Sequence, residues 1–382
     1  MINPTTQINI PSYAIQTHPL SLALLSALPI GLAISLLNTN ASPHGRWLRG
    51  SAFGLCIAAQ LLIPIRYKCV DFTNQTYACT FAAYSGLKIY NWAFVGALQK
   101  SIKDLTLDFI SLREAPEPPR KKQSDDILHR PTEWYHYPLA ISLRYLAFDS
   151  LVVLYNSQTL SSLQALPLVS QMFYAYGVSG ALYLGMDLTY LYLKLIATKI
   201  LGHEESSYPP LFNYPFLARN SADFWQRWHG LFKKTWMTLC YRPVVRKFEE
   251  WLGVERQSRS ADKPRTYRRK LLARAAGALS VFILSGVFHE HIFFCIFSPT
   301  WNSGVIGSQI LFFITQGLGA VMATLCPLEL PRPLAILITT AFNAYTTRWF
   351  LTPFMVALGK IDMPVGLLTQ GIWRDLGAMM GF

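Results

Sequence analysis

What this chain has least of is charge. Only 14% of its 382 residues are Asp, Glu, Lys or Arg, against 52% that are hydrophobic. Soluble domains carry roughly 25% charged residues, so an ordinary soluble fold is excluded and a membrane protein is expected. Cysteine is sparse too. The six residues Cys56, Cys69, Cys79, Cys240, Cys295 and Cys326 form no C-x-x-C pair, which excludes a dense disulfide framework. Most read as small apolar residues inside spans, and a Cys69–Cys79 pair would need an oxidising lumen. The N-terminus has no basic n-region and no small-residue cleavage site before its first apolar stretch, so the first span itself is expected to direct insertion. No repeat of fixed period is visible, which counts against an inverted-repeat transporter. There is no glycine-rich phosphate loop, no G-x-S-x-G elbow and no nucleic-acid motif.

What is present is a series of apolar runs near the roughly 20 residues that a bilayer requires. About eight are visible, over 20–37, 50–65, 77–98, 137–155, 168–198, 271–297, 305–326 and 334–358. The fold expected is all-α: a polytopic membrane protein, one domain over 1–382, with about eight transmembrane helices. The fifth run is too long for one upright helix and is expected to tilt, break or project from the bilayer. Lys and Arg divide the connections unequally. One side holds Arg46 and Arg49, the 99–136 segment with Arg120, Lys121 and Lys122, the 199–270 segment and Arg332; on the other, 156–167 and 298–304 contain neither residue type. The positive-inside rule makes the basic side cytosolic and both termini luminal, with the endoplasmic reticulum as the expected membrane. Anionic lipid alone would account for the net charge of +13, and an anionic ligand on the cytosolic face is the other reading.

The 199–270 loop has internal order. Phe224, Trp228, Leu231, Thr235 and Leu239 fall at helical spacing, with Arg227, Lys233 and Lys234 off that stripe. An interfacial amphipathic helix is expected here. Ser221 offers an N-cap and Asp223 a first-turn acid, and Pro243 is expected to end the helix.

The 271–297 run contains S-G-V-F-H-E-H-I-F-F, with His289, Glu290 and His291 in sequence. Placing an ionisable group in hydrocarbon costs about 3 kcal/mol or more, so this cluster requires a reason. On a helix His289 and His291 point about 200° apart and cannot grip one metal. His18, His44, His129, His136, His203 and His229 form no H-x-x-x-H pair either, so no metal site is expected. One neutral imidazole can act as a general base toward an alcohol attacking an activated carbonyl, such as an acyl-CoA thioester. A structural histidine bonded to a neighbouring span is the other reading, and the residues leave both open. Ser285, one turn earlier, is the only nearby nucleophile. Two further readings are a transporter using His289 and Asp187 as an ion path, and a non-catalytic scaffold.

S-G-V-F-H-E, together with the upstream D-F-W-Q-R-W-H and the Y-R-P that follows it, resembles the wax synthase branch of the membrane-bound O-acyltransferases. The likeness is strongest to compact fungal members that acylate natural-product alcohols, many of them O-acetyltransferases of terpenoid pathways. It covers about 212–297, and the flanking spans agree only in number and hydropathy. The resemblance implies an acyl-CoA-dependent O-acyltransferase with a buried reaction chamber. Acetyl-CoA is the implied co-substrate and a terpenoid-type alcohol the acceptor, with long-chain wax ester synthesis as the alternative. It further implies that His289 is the catalytic histidine and that His229 fills a second polar position, Asn in many members. Asp223, Trp225, Arg227, Trp228 and Glu290 are the implied substrate-side residues. Trp225, Arg227 and Trp228 would shape the acyl-CoA entrance, while Glu290 also suits a structural hydrogen bond to an adjacent span and His291 a structural role. No permanent cofactor, metal or nucleic acid is implied; the partners are the bilayer, acyl-CoA and a lipophilic alcohol. A thioester arm would descend about 22 Å from the level of Arg274 to His289, at 1.5 Å per residue.

Overall fold

Backbone groups in hydrocarbon must be satisfied within their own segment, so apolar runs of this length fold as helices. A computed structural model describes residues 12, 14–37, 43–69, 72–93, 136–156, 160–203, 205, 208, 210–230, 232–254, 263–297, 305–325 and 330–357. The expected features at 94–135, Leu231, Cys326 and 358–382 lie outside these. The long helices are α1 (Pro19–Leu37), α2 (Pro43–Arg66), α3 (Phe72–Asn91) and α4 (His136–Asn156). After the short α5 (Leu160–Ala165) comes α6 (Leu168–Leu195), which continues as a π turn over Ile196–Ile200. A two-residue parallel bridge, Ile15–Gln16 with Tyr67–Lys68, ties the chain before α1 to the end of α2.

Three helices are long and apolar enough to cross a membrane by length and composition: Pro19–Leu36, Thr266–Phe297 and Ser308–Leu325; Gly50–Arg66 is shorter. The remaining long helices carry polar side chains that lower their hydropathy, and the protein pairs several of these internally. Arg144 Nε on α4 donates to Asp187 Oδ2 on α6 at 2.6 Å, and Lys194 meets Glu205 at 3.0 Å. Asp187 is thus held in an ion pair on the α4–α6 face.

The 199–270 segment departs from expectation. One continuous amphipathic helix does not form. Instead α7 (Ser221–Arg227) ends as Trp228 turns extended, and the helix restarts as α8 (Lys233–Trp236), a π turn (Met237–Tyr241) and α9 (Arg242–Trp251). Pro243 does not terminate a helix but lies in the first turn of α9, where the N–H it lacks has no intrahelical partner to lose. The N-cap of α7 is Asn220, whose side chain accepts from Asp223 N at 2.8 Å. Ser221 is the first helical residue and points elsewhere. Asp223 does stand in the first turn, where its charge suits the helix dipole.

α10 (Lys263–Phe297) carries the histidine cluster, and α11 (Ser308–Leu325), α12 (Arg332–Phe350) and α13 (Thr352–Ala357) complete the described chain. The expected span 334–358 is broken at Leu351, just ahead of Pro353. α10 and α11 pack closely because both contribute glycine at the crossing. A Cβ on Gly286 would stand 2.9 Å from Ile310 Cα, and one on Gly317 would stand 2.8 Å from the Phe282 side chain. Small residues at such crossings allow the backbones of membrane helices to approach. Gly277 likewise faces Val245 and Tyr241 at the α9 contact.

Candidate active site

α10 sets His289 among aromatic rings, 4.4 Å from the Phe313 centroid and 6.1 Å from that of Phe350. Its Nδ1 lies 2.8 Å from the Ser285 carbonyl one turn back. A carbonyl can only accept, so Nδ1 carries the proton and Nε2 keeps the lone pair. Nε2 makes no hydrogen bond among the described residues. Ser285 Oγ is 3.5 Å from Nδ1, on the protonated side of the ring. From there His289 has no lone pair with which to activate that hydroxyl.

α7 brings up the second element. Asp223 Oδ2 accepts from Arg219 N at 2.9 Å, and its Oδ1 accepts from Arg227 Nε at 2.7 Å. Arg227 also donates from Nη1 to the Asn213 carbonyl at 3.4 Å, while Asn213 N donates to the Arg227 carbonyl at 2.9 Å. The chain makes this return through Tyr214, which adopts φ 46° and ψ 61°. That left-handed conformation costs a non-glycine residue about 1–3 kcal/mol, and the Asn213–Arg227 clamp holds it. Trp228 stacks on Phe224 at 5.3 Å and meets Phe212 edge-on at 4.9 Å.

His229 follows in the turn that interrupts the helix, with Phe212 6.1 Å away edge-on. Its Nδ1 is buried and has no hydrogen-bond partner. Burial, reinforced by nearby His289, pushes the His229 imidazole down to about 3, with a backbone hydrogen bond opposing. The ring is therefore neutral at physiological pH. The turn after α7 thus brings His229 near enough to His289 on α10 for a charge there to oppose one on His229. Sixty residues of sequence separate them.

A buried polar network fixes α7 in this place, and the sequence reading did not anticipate it. Gln316 of α11 is 1% exposed. Its Oε1 accepts from Trp225 Nε1 at 2.9 Å and Ser221 Oγ at 3.3 Å, and its Nε2 donates to Asn343 Oδ1 at 3.2 Å and Thr346 Oγ1 at 2.7 Å. Every hydrogen-bonding capacity of this amide is used, which is the condition under which such a group is tolerable in an apolar interior. Trp225 in turn packs on Phe282 at 5.3 Å and Phe313 at 5.7 Å. Phe313 is shared with His289, so one ring braces both Trp225 and the histidine. Gln309 and Gln316, seven residues apart in an apolar run, were the signal that could have exposed this face.

Glu290 and His291 turn away from His289. Glu290 accepts from Gly307 N at 2.5 Å and Gln309 N at 3.1 Å, so it caps the N-terminus of α11, where a negative charge is favourable. His291 Nε2 lies 3.6 Å from Cys295 Sγ. Among the described residues no cluster of three His, Cys, Asp or Glu could hold a metal ion.

Residues 208–315, from the approach to α7 into the first half of α11, match the membrane bound O-acyl transferase family. Over 182 residues the chain is 29% identical to the probable long-chain-alcohol O-fatty-acyltransferase 2 of Arabidopsis thaliana, covering 46% of each protein. It is 28% identical to the long-chain-alcohol O-fatty-acyltransferase of Simmondsia chinensis over 183 residues, again 46% of each. A longer alignment, 259 residues at 24% identity, reaches the probable long-chain-alcohol O-fatty-acyltransferase 9 of Arabidopsis thaliana and covers 67% of this chain and 65% of that one. The chain spans about half the length of the first two of these relatives. His229, His289, Ser285, Trp225 and Phe313 fall within the matched family segment, whereas Gln316 and the α12 residues it binds lie beyond it.

Proposed function

We propose that this chain is an acyl-CoA-dependent O-acyltransferase of the wax synthase type, esterifying a lipophilic alcohol within the membrane, with His289 as general base. The observation that carries the proposal is the Nδ1–Ser285 hydrogen bond, which reserves the Nε2 lone pair, in a segment that matches an O-acyl transferase family. In the reaction, Nε2 takes the proton from the alcohol as its oxygen attacks the thioester carbon. The carbonyl oxygen becomes an oxyanion, which His229 would stabilise through its unpartnered Nδ1, with the proton held there. Collapse breaks the carbon–sulfur bond, and the departing CoA thiolate recovers the proton held on Nε2. Ester and CoA are the products, and no acyl-enzyme is needed. A chamber between the two histidines, walled by Trp225, Trp228, Phe212 and Phe313, would keep the thioester from water.

Fatty acyl groups and long-chain alcohols are the favoured substrates, following the names of the relatives. Acetylation of a terpenoid-type alcohol with acetyl-CoA is the second reading. It is favoured by the tightly packed Phe293, Phe297, Phe312, Phe313 and Phe350, all 9% exposed or less, which leave little room for a long chain beyond His289. The orientation with the basic loops cytosolic, termini luminal and the endoplasmic reticulum as host membrane would deliver CoA to the α7 side. Neither a resident cofactor nor a metal is required. Membranes containing the protein, offered acetyl-CoA or long-chain acyl-CoA with fatty or terpenoid alcohols, should yield ester by mass spectrometry. Absence of CoA release with every pair, from folded protein, would overturn the proposal.

A further inference from the structure

The end of α10 beyond His289 holds a second chemical cluster that the transfer reaction does not use. Two anchors converge on one carbonyl: Lys68 Nζ donates to the Cys295 oxygen, and Gln75 Nε2 donates to the same oxygen at 3.1 Å. The last carbonyls of a helix lack intrahelical partners, so these donors pin the end of α10 to the segment joining α2 and α3. Gln75 Nε2 also lies 3.2 Å from Cys79 Sγ, and its Oε1 accepts from Cys69 N at 2.8 Å. This arrangement brings Cys79 of α3 and Cys295 of α10 into one buried cluster, a single amide touching the Cys79 sulfur and the Cys295 carbonyl. His291 completes the group. It hydrogen-bonds the Leu61 backbone, which as a carbonyl acceptor takes Nδ1–H, and so its Nε2 lone pair faces Cys295 Sγ at 3.6 Å. A thiol, a base within reach and a third group orienting that base make up the arrangement that activates a nucleophile.

We propose that Cys79 and Cys295 are a disulfide-forming pair, with His291 as the base that activates Cys295, stapling α3 to the helix that carries His289. The oxidant is a membrane-permeant organic disulfide, and because the two residues are 1% and 0% exposed it reaches the thiols only when the α3–α10 contact opens locally. His291 Nε2 takes the Cys295 proton, and the thiolate attacks one sulfur of the oxidant, forming a mixed disulfide and expelling the first thiolate, which takes that proton. Cys79 then attacks the Cys295 sulfur, and the second thiolate leaves with the Cys79 proton. Two protein thiols are oxidised and one oxidant disulfide is reduced to two thiols. The proposal is independent of the acyl-transfer reading, since it needs neither substrate nor turnover.

The full chain in its membrane is treated with 4,4′-dithiodipyridine, denatured, alkylated and mapped by peptide mass spectrometry. The expected result is a Cys79–Cys295 linked peptide pair, lost in Cys79→Ser with Cys295 then recovered alkylated. Recovery of both cysteines separately alkylated, or a Cys69–Cys79 link instead, would overturn it. His291→Gln should slow linkage about tenfold, through the lost thiolate fraction. An unchanged rate in that variant, shown folded by gel filtration in detergent, removes His291 from the role.

Discussion

His289 and His291 stand two residues apart on α10 and have opposite fates. A helix turns about 100° per residue, so one ring faces α7 and α11 and the other faces α2 and α3. His291 has a partner on each side, the Leu61 backbone and the Cys295 thiol. His289 spends one nitrogen on its own helix and keeps the other unbonded beside His229, a second imidazole with an unpartnered nitrogen. Equal side chains in one apolar helix therefore acquire different chemistry from what is left unsatisfied. In the proposed reaction, the position that acts is the one where the protein withholds a partner.

The sharpest way to break this comparison is to remove each ring. His289→Ala should lower kcat by about 10²-fold or more, the scale of a lost general base, while His291→Gln leaves ester formation within a few-fold. Equal losses from two folded variants would end the distinction. The next effect concerns His229: the alanine variant should lose about tenfold, near the 1.4 kcal/mol of one hydrogen bond. His229→Asn should keep most activity, since an amide still donates. If Asn is as damaging as Ala, proton transfer rather than hydrogen bonding is its task.

Gln316→Leu tests whether the network holds α7 in place. Trp225 Nε1, Asn343 and Thr346 would lose their shared partner, and stability should fall by about 1–3 kcal/mol, read as a lower Tm in detergent. A Tm at the wild-type value would show the network to be dispensable. The smallest effect is in pH. Because folding holds His229 down at about 3, the unfolded chain binds its proton first, near 6.5. The stability this residue contributes is thus complete above pH 6.5 and fades as pH falls toward 3. His229→Asn should flatten the decline in Tm between pH 7 and pH 5. A steeper decline in the variant would contradict the sign.

Where described, the segments expected as helices from their apolar runs are largely helical, with 334–358 broken at Leu351, and α1, α10 and α11 are apolar enough to span a membrane as well. The helices carrying Arg144 and Asp187 resist such a reading, because these two groups are matched across helices that sequence does not bring together. The amphipathic stripe from Phe224 to Leu239 misled for a related reason. Periodicity showed which face is apolar, but it gave no sign that the helix stops at Trp228 and leaves His229 in a turn.

The sequence by itself determined that this chain is helical and membrane-embedded, and that the His289 and His229 segments fall in one family-matched stretch. Those facts rest on composition, run length and local motif, all carried by neighbours along the chain. Only the tertiary structure decided which nitrogen of His289 keeps its lone pair, where Glu290 spends its charge, and that Gln316 locks Trp225 in place. Each of these is a question of which hydrogen-bonding group lacks or finds a partner. A partner may come from any helix, because burial makes every polar group search the whole fold for one.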